Sequence, residues 1–131
     1  MNIVELAAAG PIENPELRKY TERPSSVEYS RHYVAFKNGE EVGFITLDFL
    51  PVEEHLVIYQ LFVHSGAARQ GYGTELLKHI ESMAKAWGYA QIKLHARPTE
   101  NRLTKAQLIA WYEKRGYVWQ HDSGDTMLKA I

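Results

Sequence analysis

Cysteine is missing from the 131-residue sequence, and neither sign of charge is in clear excess. Without cysteine the chain has no disulfide bond and no thiol nucleophile, which excludes disulfide scaffolds and cysteine-dependent catalysis. Lys and Arg together number 15 against 16 Asp and Glu, so no basic excess points to a polyanionic partner. We therefore expect no nucleic acid among its partners.

Long apolar runs are also absent, because no stretch approaches the ~18 residues that a membrane-spanning helix needs. The first residues, MNIVELAAAGP, include Glu5 and lack the basic start of a secretory signal. We expect a cytoplasmic protein with no membrane partner. The length fits one compact domain over residues 1–131, and 45% apolar with 24% charged residues is ordinary for a globular chain.

The first third of the chain predicts antiparallel strands. NIVEL (2–6) is a candidate first strand, and NPELRKY (14–20) begins with the Asn-Pro pair typical of a helix start. The pair Asn38-Gly39 separates two apolar runs, which is the strongest short signal for a hairpin. Residues 33–37 and 41–49 should therefore pair antiparallel.

The middle of the chain predicts a parallel crossover. HLVIYQLFV (55–63) is a third strand, and its near-continuous apolarity predicts burial on both faces. TELLKHIESMAKAWGY (74–89) is a helix that ends at Gly88, and QIKLHA (91–96) is the next strand. This order implies a right-handed crossover within one sheet. The apolar stripe of the helix is formed by Leu76, Leu77, Ile80, Met83, Ala84 and Trp87.

The last third predicts a second helix and a closing strand pair. LTKAQLIAWYEKRGY (103–117) contains a capping box of Thr104 and Gln107. YVWQHD and TMLKA should pair antiparallel, and an exposed C-terminal strand would offer an edge for a dimer. The fold class is therefore mixed α/β, with one sheet that is antiparallel at its start and end and parallel in the middle. Monomer and homodimer both stay open.

The most informative stretch is VHSGAARQGYGTEL (63–76), between the third strand and the long helix. It lacks the Lys-Ser/Thr of a P-loop and the third glycine of a dinucleotide fingerprint. The first N–H groups and the positive dipole end of a helix nevertheless favour an anion there, and Arg69 could pair with a phosphate. A plain connecting loop is the alternative.

Two motifs resemble those of the GCN5-related N-acetyltransferase (GNAT) family. The family's acetyl-CoA loop reads Gln/Arg-x-x-Gly-x-Gly/Ala, and ARQGYG (68–73) matches it except that Ala68 stands at the first position. The family's later Tyr-x-x-x-Gly-Phe/Tyr motif matches YEKRGY (112–117). An Asn that commonly precedes this Tyr by two turns is Lys105 here, with Asn101 further upstream. The resemblance covers most of the chain.

The resemblance implies a GNAT-like fold, in which a parallel strand pair splays for coenzyme A and helices cover both faces of the sheet. It implies transfer of an acetyl group from acetyl-CoA to the amine of a small molecule or peptide. We expect no metal, because the six histidines show no metal-like cluster. The residues implied to hold the cofactor are Leu61, Phe62, Val63, Arg69, Gln70, Gly71, Tyr72, Gly73 and Thr74, with Asn101 as a further contact.

The resemblance also implies catalytic roles. Tyr112 would donate a proton to the departing thiolate, although a core tyrosine is the alternative for this position. A backbone N–H near Val63 would polarise the thioester carbonyl. Many relatives have a Glu as base where this chain has Tyr59, which we expect to orient a water instead. Further candidates for the proton acceptor, each of which could equally be an ordinary strand-end or turn residue, are His64, His95, Glu53 and Glu54.

Two other functions fit the same residues. The missing Glu at Tyr59 and the departure at Ala68 would suit a non-catalytic acyl-CoA sensor or interaction module. A nucleotide-binding domain outside the family is a weaker alternative. The acceptor side would be formed by residues 16–31 and the turn PVEE, whose carboxylates could attract a cation.

Overall fold

The computed structural model describes residues 1–22, 29–50, 54–67, 70–98 and 103–131, apart from the side chains of Glu22 and Ser123. The strands are β1 (Asn2–Glu5), β2 (Ser30–Lys37), β3 (Glu40–Asp48), β4 (His55–Val63), β5 (Gln91–His95), β6 (Val118–Trp119) and β7 (Thr126–Ala130). The helices are α1 (Leu6–Ala9), α2 (Pro15–Glu22), α3 (Tyr72–Ala86) and α4 (Lys105–Glu113), with 3-10 turns at Ser65–Ala67 and His121–Ser123.

All seven strands lie in one sheet, in the order β1-β2-β3-β4-β5-β7-β6. Neighbours from β1 to β4 are antiparallel, β4 and β5 are parallel, and β7 is antiparallel to both β5 and β6. The predicted mixed α/β class is confirmed, including the antiparallel start and end. The single parallel pair lies in the middle of the sheet, where α3 connects β4 to β5.

Local signals place several elements as predicted. The β2–β3 hairpin turns at Asn38 and Gly39, whose φ angles of 52° and 81° are the left-handed values that a type I′ turn requires. The Asn14 side chain caps α2 by accepting from the N–H groups of Glu16 and Leu17, at 3.0 and 3.2 Å. In α4, Thr104 and Gln107 form the predicted capping box.

Helices cover both faces of the sheet, as the resemblance implies. The larger hydrophobic cluster lies under α3 and α4 and includes Leu56, Ile58, Leu76, Ile92 and Tyr112. The smaller cluster lies under α1 and α2 and includes Ile12, Leu17, Val34, Phe44 and Phe62. We call these sides of the sheet the α3–α4 face and the α1–α2 face.

A β-bulge in β4 makes one of our expectations wrong. Leu47 of β3 pairs with Ile58, but the next residue, Thr46, pairs with Gln60, so Tyr59 is the extra residue on β4. The extra residue changes which side chains of β4 face each side of the sheet. Ile58 and Leu61, three residues apart, therefore both lie on the α3–α4 face. The strand is therefore not buried throughout: Tyr59 is 50% exposed.

The parallel pairing of β4 with β5 is short. It joins residues 55–58 of β4 to residues 91–94 of β5, and its last pair is Ile58 with Leu94. Beyond that pair β4 continues to Val63 beside β3, whereas the chain after β5 is bonded to the start of β7, from the Ala96 N–H to the Asp125 carbonyl at 2.8 Å. The two strands thus diverge at Tyr59 and His95, which confirms the splayed pair.

Helix α3 differs from the prediction at both ends. It begins at Tyr72, two residues before the predicted start, because Gly71 serves as its N-cap. Trp87 does not belong to the buried stripe: it follows the last helical residue, is 46% exposed, and contacts Phe49 edge-on with ring centroids 4.7 Å apart. Gly88 follows at φ 86°, the conformation of a C-terminal helix stop.

The C-terminal strand is not the edge that we expected. β7 lies between β5 and β6, so the edge strands of the sheet are β1 and β6. The hairpin of β6 and β7 inserts its second strand next to β5, so β7 is paired on both sides and β6 forms the edge. No helix within the described ranges is long and apolar enough to cross a membrane.

Candidate active site

The start of α3 is built around a glycine in a left-handed conformation. Gly71 is the N-cap, with φ 77° and ψ 7°, a region in which a side chain is strained. A Cβ atom at this position would meet no atom of the described residues within 4 Å. The turn therefore combines a helix N-terminus with room for a ligand to reach the backbone.

Gly73 is required for a different reason. A Cβ atom there would lie 3.2 Å from Cζ2 of Trp111, on α4. The absence of a side chain lets the indole ring of α4 pack against the first turn of α3. From the sequence, we expect Gly73 to be a glycine so that a phosphate can approach the backbone. The structure adds a second reason, which is that a side chain at Gly73 would crowd Trp111.

Arg115 brings positive charge to the start of α3. Its Nε and Nη2 donate to Oγ1 of Thr74 at 2.9 and 2.7 Å, and its Nη1 donates to the Trp111 carbonyl at 2.7 Å. The guanidinium also lies 3.7 Å from the centroid of the Trp111 ring. Burial lowers the pKa of Arg115, against an opposing contribution from Tyr112, and the group remains cationic at neutral pH.

The one acidic residue in the first turn of α3 is neutralised. Glu75 accepts from Nζ of Lys37 at 2.8 Å, and this hydrogen bond lowers the pKa of the carboxyl. The ion pair offsets the negative charge that Glu75 would otherwise add beside the glycine turn. A groove with several cations is lined by Thr74, Leu77, Lys78, Glu81, Lys114, Arg115 and Lys129.

Tyr112 lies on the α3–α4 face of the sheet. It is 7% exposed, and its ring meets those of Trp111 and Tyr117 edge-on, with centroids 4.9 and 5.5 Å away. Burial raises the pKa of Tyr112 to about 12, so the phenol is protonated at neutral pH. Tyr117 donates its hydroxyl to Glu81 at 2.9 Å, whereas no described residue accepts from Tyr112. Tyr112 is therefore a buried core tyrosine, and its role as an acid stays a prediction.

A polar network occupies the point where β4 and β5 diverge. Nδ1 of His95 lies 3.2 Å from Oδ1 of Asp125 and 3.1 Å from Oγ1 of Thr126. Nε of Arg97 donates to Oδ2 of Asp125 at 2.7 Å. This hydrogen bond lowers the pKa of Asp125, and His95 lowers it further. The pKa of Arg97 is raised, mainly by Asp125 and also by Tyr59 of β4.

The other proposed proton acceptors lie elsewhere. Nδ1 of His64 accepts from the N–H of Gly66 at 3.0 Å, within the turn that follows β4. Glu54 is exposed and precedes β4, where its carbonyl accepts from the N–H of Ala90 at the closed end of the strand pair. Glu53 lies outside the described residues.

The structure brings most of the predicted cofactor residues together along one path. Leu61 and Val63 are half-buried at the end of β4, Phe62 is buried, and the turn at Gln70 leads into α3. Tyr72, Gly73 and Thr74 form the first turn of that helix. Arg69 and Asn101 lie outside the described residues, as does Ala68.

Sequence reasoning missed a second polar group on the α1–α2 face. Nδ1 of His32 lies 2.9 Å from Oγ1 of Thr46, and the Ser30 hydroxyl donates to Asp48. Thr46 and Asp48 are both buried. Burial lowers the pKa of His32, against an opposing effect of Asp48. The polar residues at even positions 30, 32, 46 and 48 were a usable signal, since they share one face of two paired strands.

Comparison with known proteins identifies the family. The family model described as "Acetyltransferase (GNAT) family" matches residues 3–117. The chain belongs to the GNAT acetyltransferase family. A search of curated proteins gave no match. Among the described residues, no group of three or more His, Cys, Asp or Glu is placed to hold a metal ion.

Solved structures share the fold of this GNAT chain. PaiA N-acetyltransferase from Thermoplasma acidophilum, in complex with coenzyme A, is 20% identical, with a TM-score of 0.62 over 88% of this chain and 70% of that one. A GNAT acetyltransferase from Elizabethkingia anophelis with acetyl-CoA bound is 20% identical, with a TM-score of 0.66 over 99% and 97%. The KacTA–DNA complex is 16% identical, with a TM-score of 0.70 over 98% and 92%.

The buried phenol predicts an alkaline transition. Because burial raises the pKa of folded Tyr112 from 10.0 to about 12, its neutral form stabilises the fold fully below pH 10. That contribution is lost as the pH rises through about 12. Tyrosinate absorbance should show a step near pH 12 that is missing from Tyr112→Phe. If the tyrosinate absorbance that Tyr112→Phe lacks, relative to wild type, instead appears near pH 10, Tyr112 is not a buried phenol.

Proposed function

We propose that the chain transfers an acetyl group from acetyl-CoA to the amine of a small molecule or peptide, by direct attack in a ternary complex. The observation that carries the proposal is the divergence of β4 and β5, which leaves β4 running on to the open glycine turn at α3. The resemblance to the GNAT family implies that the acyl donor would follow this path, and two of the similar structures contain coenzyme A or acetyl-CoA.

The donor would be held mainly by backbone. The strand end at Leu61–Val63 would bind the pantetheine arm, and an N–H near Val63 would polarise the thioester carbonyl. The first-turn N–H groups from Gln70 to Thr74, with the Arg69 side chain, would bind the pyrophosphate. Asn101 would add a further contact. The open space before Gly71, the cation of Arg115 and the neutralised Glu75 support an anion at this helix start.

Tyr112 would supply the proton for the departing thiolate. A thiol has a pKa near 8.5 by analogy with Cys, and the phenol is still protonated at that pH. The amine acceptor must in turn lose a proton before or during attack, because a lysine-like amine is mostly protonated at pH 7. We propose that Tyr59, exposed at the bulge, orients a water on the acceptor side.

The acceptor would approach from the α1–α2 face. The buried carboxylate of Asp48, together with His32 and Thr46, forms a polar patch there that suits a cationic or hydrogen-bonding substrate. Our proposal of an amine acceptor, with no nucleic acid, rests on this patch and on the balanced charge. The similar KacTA structure is a complex with DNA, so nucleic acid belongs among the ligands to be tested.

The proposal is tested by thiol release. Acetyl-CoA is incubated with polyamines, amino acids, aminoglycosides and lysine peptides, and free thiol is measured with a chromogenic disulfide reagent. The chain contains no cysteine, so the reagent reports coenzyme A alone. Amine-dependent thiol release with an acetylated product is expected. Calorimetric binding of acetyl-CoA without release by any amine would instead favour the non-catalytic sensor.

Gly71 should control donor binding. Gly71→Ala places a methyl group at φ 77° in front of the helix start and should weaken acetyl-CoA binding by about tenfold or more, as measured by calorimetry. Gly88→Ala is the matched control: it has φ 86°, its Cβ would also meet no described atom within 4 Å, and it lies about 25 Å away beyond the other end of α3. Equal affinity in both variants would contradict the binding site.

Tyr112 should affect turnover without affecting donor affinity. Tyr112→Phe removes one hydroxyl and keeps the ring contacts with Trp111 and Tyr117, so we expect about a 10²-fold loss of kcat. Calorimetry should give an unchanged affinity for acetyl-CoA. Tyr117→Phe is the control for loss of a buried tyrosine hydroxyl. Wild-type turnover of Tyr112→Phe across neutral pH would remove Tyr112 from the mechanism.

A further inference from the structure

His95 stands at the apex of the strand divergence. It directly follows Leu94, which forms the last pair between the parallel strands, opposite Ile58. The first unpaired position on β4 is Tyr59. Any thioester placed in the gap between the strands, as our proposed function requires, would therefore lie near this position. His95 is also solvent-accessible, with 36% of its side chain exposed.

The hydrogen bonds of His95 fix which ring nitrogen is available. Nδ1 faces the carboxylate of Asp125 and the hydroxyl of Thr126. The lowered pKa of Asp125 keeps this group ionised, and a carboxylate can only accept, so the Nδ1 atom carries the proton. The tautomer that results leaves a lone pair on Nε2.

Asp125 is itself held in place. Its second oxygen, Oδ2, accepts from Arg97, its backbone carbonyl accepts from Ala96, and its side chain is only 18% exposed. An imidazole whose Nδ1–H is oriented by a fixed carboxylate is the arrangement by which proteins position a general base.

His95 and Tyr112 lie on opposite faces of the sheet. Leu94 belongs to the cluster on the α3–α4 face, and side chains alternate along a strand, so His95 projects toward the α1–α2 face. Its cross-strand partner Thr126 obeys the same alternation, since the next residue, Met127, belongs to the α3–α4 cluster. The proposed proton donor and the imidazole of His95 thus lie on opposite faces of the sheet.

We propose that Nε2 of His95 is the general base that takes the proton from the attacking amine, and that Asp125 is the positioning residue that orients it. The inference rests on the proposed N-acetyltransferase activity. The base would then lie on β5, in place of the Glu that many relatives have on β4 where this chain has Tyr59. This assignment also gives the network of His95, Asp125 and Arg97 a role beyond joining β5 to the start of β7.

The proton and electron balance is complete with acetyl-CoA and the amine as substrates. The nitrogen lone pair of the neutral amine forms the bond to the carbonyl carbon, and His95 takes the extra proton from that nitrogen. The carbon–sulfur bond breaks, its electron pair leaves on sulfur, and the sulfur takes the Tyr112 proton. Transfer of a proton from the imidazolium to the phenolate through solvent restores both residues. The products are an acetamide and free coenzyme A.

The charged groups around His95 determine how its role is measured. Asp125 and Arg97 lie in its network, Tyr59 interacts with Arg97 from β4, and Lys93 lies two residues earlier on the same side of β5. The Asp125 carboxylate is in direct contact with the His95 ring, and the Arg97 guanidinium compensates its negative charge. The acid limb of the pH–rate profile should therefore report His95, because only its neutral form accepts a proton.

The experiment compares His95→Gln with wild type on an amine identified by thiol release. We expect kcat to fall about 10²-fold, the acid limb attributed to His95 to disappear, and calorimetric affinity for acetyl-CoA to stay unchanged. Added imidazole should restore part of the rate of His95→Ala. The matched control is His121→Gln, an exposed histidine on the nearby 3-10 turn, which should behave as wild type.

A second readout does not depend on turnover. Nitrogen-15 chemical shifts of the His95 ring should show the Nδ1–H form in wild type, and Asp125→Asn should change this tautomer while thermal unfolding shows an intact fold. Wild-type rates and an unchanged acid limb in His95→Gln, or an Nε2–H tautomer in wild type, would overturn the proposal. If wild type binds acetyl-CoA but acetylates no amine, the proposed function fails first, and the assignment of the base fails with it.

Discussion

The short parallel pairing between β4 and β5 is the constraint on which the rest of the site depends. Only four residue pairs join the two strands, and the last is Ile58 with Leu94. The bulge at Tyr59 turns the remainder of β4 so that Leu61 and Val63 change face, and the chain after β5 turns away to bond with Asp125. The divergence leaves the end of β4, from Tyr59 to Val63, without a partner among the described residues on the β5 side. The glycine turn and the start of α3 follow β4 beyond this point, and the buried Tyr112 lies on the α3–α4 face of the sheet.

The charged groups around β4, β5 and the start of α3 are separated by sign. At one end the helix dipole and Arg115 favour anions, and Glu75 is neutralised by Lys37. At the apex the Asp125 carboxylate is compensated by Arg97 and oriented toward His95. Further out on the α1–α2 face, Asp48 and His32 form a buried polar patch. The proposed anionic donor and basic acceptor would therefore approach from regions of opposite charge.

Turns, caps and the order of strand pairing were predictable, whereas individual contacts between side chains distant in sequence were not. The Asn38-Gly39 hairpin, the cap at Asn14 and the capping box at Thr104 are local, and each was confirmed. The bulge at Tyr59 was missed because apolar residues continue through HLVIYQLFV, so only pairing with β3 reveals the extra residue. Arg115 contacts Thr74 over 41 residues and His95 contacts Asp125 over 30, separations at which no spacing rule applies. The family motifs indicated the donor side, whereas the acceptor side carried no motif and required the fold.

The central claim is that the gap between β4 and β5 receives the acyl donor, and hydrogen–deuterium exchange with and without coenzyme A tests it most directly. We expect new protection of the backbone amides at residues 61–63 and 70–74 when coenzyme A binds. The closed end of the strand pair, at residues 55–58, should be unchanged. Protection confined to another groove, such as the one lined by Met1, Val4 and Phe36, with none at residues 61–63, would contradict it.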